Sequence, residues 1–389
     1  MTVKLTLSPE EESFADEART WLNEHLVGEF AQCRGVGGPA DDEAWDVRIA
    51  WERELSAGGW LGISWPAEYG GRGGTLRQEV LFAREAARLN PPYRASVQGL
   101  ELLGPMLLAF GSEAQKRRFL PRILAVEESW AQGFSEPGAG SDIAAVRTRA
   151  RLDGGQWILD GQKIWTSIGA RADWLYVLAR SDPASERHRG LSMLLVPVAQ
   201  HGVTIQPIRN LCGSGEFCQT FLDQARTDAD LVVGEPGDGW RVTMGALGTE
   251  RGVSLASQQM RFVHEVERLA QALGDGPATG PVLRRQLADV WAYAKVAQWQ
   301  ALRLMEHAMA DGPVGHLPSA AKVFASSFHQ RLGALAFDAL GAAGQLVEPG
   351  YGLDEVQRTS LAALAESIYG GTTQIQLNIL AERALGLPR

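Results

Sequence analysis

Apolar residues Phe14, Ala18, Trp21, Leu22 and Leu26 recur at helical spacing behind Pro9 and three glutamates, Glu10, Glu11 and Glu12. A proline in the first helical turn sacrifices no hydrogen bond, and carboxylates there suit the positive end of the helix dipole. The same period runs through AWDVRIAWERELSAGGW, which stops at Gly58-Gly59, and LRQEVLFAREAARLN, which stops before Pro91-Pro92. SEAQKRRFLPRILAVEE adds further helical turns. Near residue 126 the period shortens to two. DWLYVLAR, GLSMLLVPV, GVTIQPI and CQTFLDQA read as strands separated by turn residues at short intervals. QWILDGQKIW carries apolar runs on both sides of Asp160-Gly161, which predicts a two-residue hairpin turn. From Trp240 the helical period returns in three long amphipathic stretches. The chain closes on IYGGTTQIQLNILAERALGLPR, a last long amphipathic pattern. This order predicts an α+β chain with an N-terminal α-helical domain over 1–125, a central β barrel or sandwich over 126–237 and a C-terminal four-helix bundle over 238–389.

Composition narrows the function classes. Hydrophobic residues are 45% and charged residues 21% of 389, which is a globular balance rather than a disordered one. The net charge of −9 and the lack of a Lys/Arg run argue against nucleic acid as a partner. No run of about 18 apolar residues predicts a membrane span, and the N-terminus carries no apolar signal core. Cys33, Cys212 and Cys218 have no metal-type spacing. Their sparse, odd count fits a reducing cytoplasm and no metal site. His264 and His307 sit in helical patterns without ligand spacing and read as packing or surface residues.

Three stretches are dense in candidate chemistry. QGFSEPGAGSD, residues 132–142, puts Ser135 and Glu136 before a Pro-Gly turn. It reads either as a tight turn or as a glycine-rich loop that offers backbone N–H groups to a planar or anionic ligand. It is neither a phosphate-binding GxxxxGK[ST] loop nor a GxGxxG turn. DGQKIWTSIGARADW ends a strand with Trp165, Thr166 and Ser167. An indole and hydroxyls there suit a planar cofactor, or else an aromatic cross-strand pair. Gly370 and Gly371 precede the final helix, where the backbone must turn or come close to something without a side chain intervening.

Together with GWLGISWPAEYGGRGG, GEPGDGW and AERALG, these stretches resemble the flavin-dependent acyl-CoA dehydrogenases over nearly the whole chain. The similarity is greatest to the bacterial branch that acts on long, branched or steroid side-chain thioesters. The resemblance implies FAD between the β domain and the bundle. Phe134 and Ser135 would contact the flavin ring, Trp165 would pack on it, and Ser167 would take the place of a threonine near its reactive nitrogen. Thr372 to Gln374 would reach the ADP half, and Arg284 would grip the pyrophosphate of a neighbouring subunit. Ser141 would lie along the CoA arm, Arg251 beside it at the bundle end, and Tyr369 at the substrate. The implied reaction is α,β-dehydrogenation of an acyl-CoA, with electrons passed to an electron-transfer flavoprotein. The implied assembly is a homotetramer or homodimer, with a mixed tetramer as the alternative.

In many members of that family a glutamate at the position of Gly370 is the catalytic base. Here that carboxylate is missing, and Glu250-Arg251 in GTERG matches the family's second placement of the base, on a helix before an arginine. Glu250 is therefore the expected base. Gly370 keeps a backbone N–H for the thioester oxygen and leaves room for a bulky acyl group. Asp338 stands where a glutamine often meets the neighbour's FAD, Leu287 where phenylalanine is common, and Thr227-Asp228 replace a Val-Pro pair. Two other readings remain open: a non-catalytic subunit of a mixed oligomer, and an oxidase or monooxygenase on the same fold.

Overall fold

The computed structural model describes residues 7–37, 43–250, 253–274, 280–309, 315–347 and 350–388. Helix α1 (Pro9–His25) starts at Ser8, whose hydroxyl accepts the Glu11 N–H while the Glu11 carboxylate accepts the Ser8 N–H at 2.9 Å. Such a reciprocal cap is worth about 1 kcal/mol. A short helix α2 (Gly28–Gln32), which no apolar period announces, leads to α3 (Trp45–Ala57), ending at Gly58. Helix α4 (Leu76–Leu89) repeats the cap with Thr75 and Gln78 and stops at the left-handed Asn90. A wider helical stretch, Gln98–Leu103, runs into α5 (Gly104–Phe110), and α6 (Glu113–Leu124) starts on a third reciprocal cap, Ser112 with Gln115.

The middle of the chain is one mixed sheet. Its strands are β1 (Trp130–Gly133), β2 (Arg149–Asp153), β3 (Gln156–Ser167), β4 (Trp174–Arg180), β5 (Leu191–Pro197), β6 (Val203–Ile208), β7 (Phe217–Asp228) and β8 (Val232–Val233). They lie in the order β6-β7-β3-β2-β4-β5-β8, with β1 parallel to β4. Period-two alternation sends successive side chains of β4 and β5 to opposite faces, and both faces are buried. Leu175 and Val177 of β4 and Leu194 of β5 turn to a core shared with Leu159, Leu222 and Ala225. Tyr176, Leu178, Met193 and Leu195 turn instead to the N-terminal helices. The sheet curls on itself: Thr227 Oγ1 on β7 donates to the Leu195 carbonyl on β5 at 2.5 Å, although those strands are not neighbours. Trp130 and Trp174, partners in the β1–β4 register, stack at 5.5 Å and meet Phe119 of α6 edge-on, which fixes the sheet to the helices.

The Asp160-Gly161 hairpin is not present. Strand β3 runs straight through both residues, and its turn to β2 is at Gly154-Gly155. Asp160 and Gly161 instead form a bulge, where the β3–β7 register shifts between Leu159 and Gly161. The Asp160 carboxylate accepts the N–H of Gln224, a left-handed residue on β7, at 2.9 Å. A Cβ at Gly161 would lie 2.7 Å from the Thr148 Cα. The glycine serves close approach of two backbones, a need that the Asp-Gly pair does not distinguish from a turn.

The chain finishes with α7 (Gly239–Glu250), α8 (Val253–Leu273), α9 (Pro281–Met309), α10 (Leu317–Leu340), α11 (Glu355–Glu366) and α12 (Thr373–Ile379). Helices α8 to α11 share a core that includes Val266, Ala294 and Leu332, with Phe262 and Phe328 stacked at 4.6 Å. Val80 and Ala87 of α4 pack on Met260, Leu304 and Met305, so the first helical layer braces the bundle. Helix α11 is an element that the sequence pattern does not single out. The closing amphipathic stretch is shorter than it reads: past Ile379 it becomes a wider turn, Leu380–Ala384, and Gly386 (φ 66°) follows it. Among the described residues no helix is long and apolar enough to cross a membrane.

Gly161→Ala is expected to lower stability by about 1–3 kcal/mol, because the added carbon meets backbone that must move. A fall in urea midpoint or Tm checks this, and an unchanged midpoint contradicts it.

Candidate active site

At the end of β1 the chain turns through Phe134, Ser135 and Glu136, and a buried ion pair ties that turn to β3. Lys163 is fully buried, and its ammonium donates to the Glu136 carboxylate at 2.8 Å and to the Phe134 carbonyl at 3.0 Å. Glu136 also accepts the N–H groups of Arg147 at 2.7 Å and Thr148 at 2.8 Å. Burial pushes the Lys163 ammonium down to about 8. Burial raises the Glu136 carboxyl, but Lys163 and the two backbone donors outweigh it and hold it below its ordinary value. The Ile164 N–H donates to the Ser135 carbonyl at 2.9 Å, so the turn and the end of β3 lie side by side.

That end of β3 is strained. Trp165 sits in the left-handed region at φ 61°, where a bulky residue costs about 1–3 kcal/mol. Its indole is 54% exposed and edge-on to Phe217 at 6.0 Å. Ser167, two residues on, is half-buried and pairs with Phe217. A strained residue holding a large apolar ring toward open space is a mark of a ligand surface rather than of a packed sheet.

A second lysine organises the C-terminal turn. Lys322 of α10 is 8% exposed and donates to the carbonyls of Glu366, Tyr369 and Gly371, the last two at 2.8 and 3.1 Å. Gln376 Nε2 donates to the Gly370 carbonyl at 3.1 Å, and Ser326 Oγ to that of Glu366 at 3.1 Å. Gly370 and Gly371 both have left-handed φ, 62° and 87°. Only glycine takes two such turns in succession without strain. Thr372 then caps α12, its hydroxyl accepting the Ile375 N–H at 3.2 Å. Beneath this turn, His329 of α10 lies between Glu366 of α11 at 2.7 Å and Glu265 of α8 at 3.0 Å. Burial alone would lower the imidazole, but Glu366 and then Glu265 outweigh it and raise it well above its ordinary value.

The structure thus collects the expected residues into two groups. Phe134, Ser135, Trp165 and Ser167 lie together at the β1–β3 end of the sheet, where the Ile164 N–H meets the Ser135 carbonyl. Phe134 sends its ring into the core against Tyr176, which leaves only its backbone for a ligand. Tyr369, Gly370, Thr372 and Gln374 share the turn into α12, with Tyr369 and Gln374 exposed. Ser141 is exposed in the loop beyond Glu136, and Arg284 is exposed near the start of α9, where it can serve a neighbouring chain. Asp338 is exposed on α10, whereas Leu287 packs against the bundle core. Glu250 is the last residue of α7, but its side chain lies outside the described residues, as does Arg251 entirely. His264 meets the Ala87 carbonyl at 3.0 Å and His307 that of Arg303 at 3.1 Å, both as packing or surface groups. Lys163, Lys322 and His329 were invisible as site residues. Lysine in a strand or helix pattern gives no sign of burial; the one available hint was a cation close to a conspicuous acidic turn.

The residues fit a flavin. An isoalloxazine needs an aromatic face and backbone donors, and Trp165 offers the first. For the second, a trans peptide points its N–H opposite to its C=O. Lys163 holds the Phe134 carbonyl, so the Ser135 N–H is aimed away from the buried pair, and no described hydrogen bond uses it.

Domain models of one family match along the chain: acyl-CoA dehydrogenase N-terminal domain at residues 8–127, middle domain at 131–225 and C-terminal domain at 237–385. The chain is 47% identical over 383 residues to acyl-CoA dehydrogenase IpdE1 of Mycobacterium tuberculosis, covering 97% of this chain and 98% of that one. It is 45% identical to IpdE1 of Mycolicibacterium smegmatis, covering 98% of each. Among solved structures, the Tcur3481-Tcur3483 steroid ACAD superposes with TM-score 0.85 at 27% identity and full coverage of both chains. The ChsE4-ChsE5 complex of Mycobacterium tuberculosis superposes at 0.80 with 31% identity, again over both full chains.

Two measurements test the supports of the site. Lys163→Met leaves Glu136 buried without its cation and is expected to cost about 3–5 kcal/mol, part of which Glu136→Gln restores in the double variant. Additive losses in urea unfolding would contradict that coupling. His329 has a raised folded pKa, so its stabilising contribution is complete below the unfolded value near 6.5 and is lost as pH rises through the folded one. The urea midpoint of the wild type should therefore fall toward alkaline pH more steeply than that of His329→Gln; parallel pH profiles would refute it.

Proposed function

The chain belongs to the acyl-CoA dehydrogenase family, and from that membership we propose that it desaturates a bulky acyl-CoA thioester at the α,β bond to the trans-2-enoyl-CoA. The observation that carries the reading is the Tyr369-Gly370-Gly371-Thr372 turn. Its residue 370 has no side chain but keeps an N–H that no described hydrogen bond uses. Removing an α proton is difficult because the thioester oxygen gains charge as the proton leaves. A preorganised N–H aimed at that oxygen stabilises the charge, and Gly370 supplies it. Glu250, at the end of α7, takes the proton in place of the carboxylate absent at 370. Trp165 and the Ser135 N–H hold the flavin, Ser167 its reactive edge, and Thr372, Gln374 and a neighbour's Arg284 its ADP portion. Ser141 and Arg251 line the CoA arm, and Tyr369 flanks the acyl group. FAD, when bound, supplies the electron sink that no side chain provides, and an electron-transfer flavoprotein takes the electrons onward.

The bulky substrate rests on two supports. The site lacks the family's usual side chain at 370, and a structural neighbour at 27% identity is described as a steroid ACAD. A mixed oligomer is the second reading, because two of the similar structures pair two different chains. In that case the exposed Asp338 would face a partner that is not a copy of itself. Co-purification of a second chain, with flavin bound only in the mixed assembly, would favour it.

The test is anaerobic mixing of the flavin-loaded protein with straight, branched and sterol-derived acyl-CoAs, following visible absorbance. Bleaching is expected with a bulky class and should slow by about 10²–10⁴-fold in Glu250→Gln. Bleaching that survives intact in that variant would remove Glu250 as the base. Gly370→Glu carries a backbone cost for every substrate because of its left-handed φ, so the ratio between substrates is the readout. A larger loss for bulky than for straight thioesters is expected, and equal losses would sink the role of the missing side chain.

A further inference from the structure

Lys322 does more than cap a helix. Helix α11 ends with carbonyls that lack partners within the helix and with the negative end of its dipole. A surface lysine would satisfy that need by its charge alone. Lys322 is instead buried, and its three N–H groups are matched by three carbonyl oxygens, those of Glu366, Tyr369 and Gly371. The contact with Tyr369 is the consequential one. The Tyr369 C=O and the Gly370 N–H belong to one peptide unit, and among the described residues no peptide bond is cis. In a trans unit the two groups point in opposite directions. An ammonium 2.8 Å from the carbonyl oxygen therefore sets the direction of the N–H on the far side. It also draws electron density toward the oxygen, which makes that N–H a stronger donor. The neighbouring peptide units are held too, through Gly371 by the same lysine and through Gly370 by Gln376. The glycines have the least intrinsic preference for one direction, so an external clamp has most to decide there.

We propose that Lys322 is a positioning residue for the dehydrogenation, holding the Tyr369–Gly370 peptide unit so that the Gly370 N–H is aimed at, and polarised toward, the thioester oxygen. This rests on the reading of Gly370 as the donor to that oxygen. Lys322 touches neither substrate nor flavin in this role. It acts through one peptide unit, and its effect is on the enolate-like charge rather than on acyl binding.

The experiment uses flavin-loaded protein and 3-thiaoctanoyl-CoA, together with a 3-thia analogue bearing a cyclic acyl group. Sulfur replaces the β carbon in these probes, so they can lose the α proton but have no β hydrogen to transfer. The deprotonated form stacked on flavin is followed by its long-wavelength absorbance as a function of pH. In Lys322→Met the pKa of the bound analogue is expected to rise by about one unit or more, with kcat falling at least about tenfold and KM staying within about threefold. Gln376→Leu loosens the same turn without releasing the Tyr369 carbonyl and should move the pKa far less. Lys322→Arg keeps the charge, but its planar fork does not match three converging oxygens, so a smaller rise in the same direction is expected. If Lys322→Met does not fold, Lys322→Arg decides the matter. A wild-type pKa in the Lys322 variants overturns the proposal, as does an equal shift in Gln376→Leu or a loss confined to KM. A wild-type protein that binds flavin but deprotonates neither analogue overturns the functional reading itself, and the role of Lys322 with it.

Discussion

A trans peptide cannot present its C=O and its N–H to the same side, and the candidate site depends on that constraint. Wherever a loop must offer an N–H outward to a ligand, something inside must accept responsibility for the carbonyl behind it. Here that something is a buried ammonium twice over. Lys163 holds Phe134 behind the Ser135 N–H, and Lys322 holds Tyr369 behind the Gly370 N–H. One clamp serves the sheet, the other the bundle.

Burying an ammonium has a desolvation cost of several kcal/mol, which a single carbonyl does not offset. The two lysines meet that cost differently. Lys163 is paired with Glu136, whose carboxylate also accepts two backbone N–H groups, so both its oxygens have partners. Lys322 leans on a helix C-terminus and a set of carbonyl dipoles, with the Glu265–His329–Glu366 chain about two turns further along α10. That chain joins α8, α10 and α11, so the position of the turn is tied to the packing of three helices. Pairs of this kind add little net stability but penalise any arrangement that separates them. They suit a place where direction matters more than strength.

The rest of the fold serves to bring these clamps to their stations. Two-faced strands β4 and β5 let the sheet pack inward on itself and outward on the first helices, so the β1–β3 end is rigid. Helix α4 lies across α8 and α9 and fixes the bundle from the other side. Against that rigid frame, Trp165 is kept in a conformation it would not choose alone, which is the expected sign of a surface shaped for something outside the protein.

Periodicity and punctuation alone located most of the elements. The helix start at Pro9, the stop at Gly58 and the shift from helical to strand period near residue 126 are local events, governed by contacts a few residues apart. They are legible for that reason, and so are the motifs that resemble the acyl-CoA dehydrogenases. The Asp160-Gly161 pair misled, because a turn and a bulge make the same local demand for glycine and only Thr148, packed from the segment just before β2, tells them apart. Helix α11 was missed, and the last helix was read as too long. Lysines 163 and 322 and His329 were illegible for a deeper reason. Burial of a charge is decided by partners 27, 44 to 49, and 37 residues away in the chain. Sequence by itself determined most of the elements, the family and the vacancy at residue 370. Tertiary structure decided which carbonyls those charges hold, and through the planarity of the peptide, where the N–H groups point.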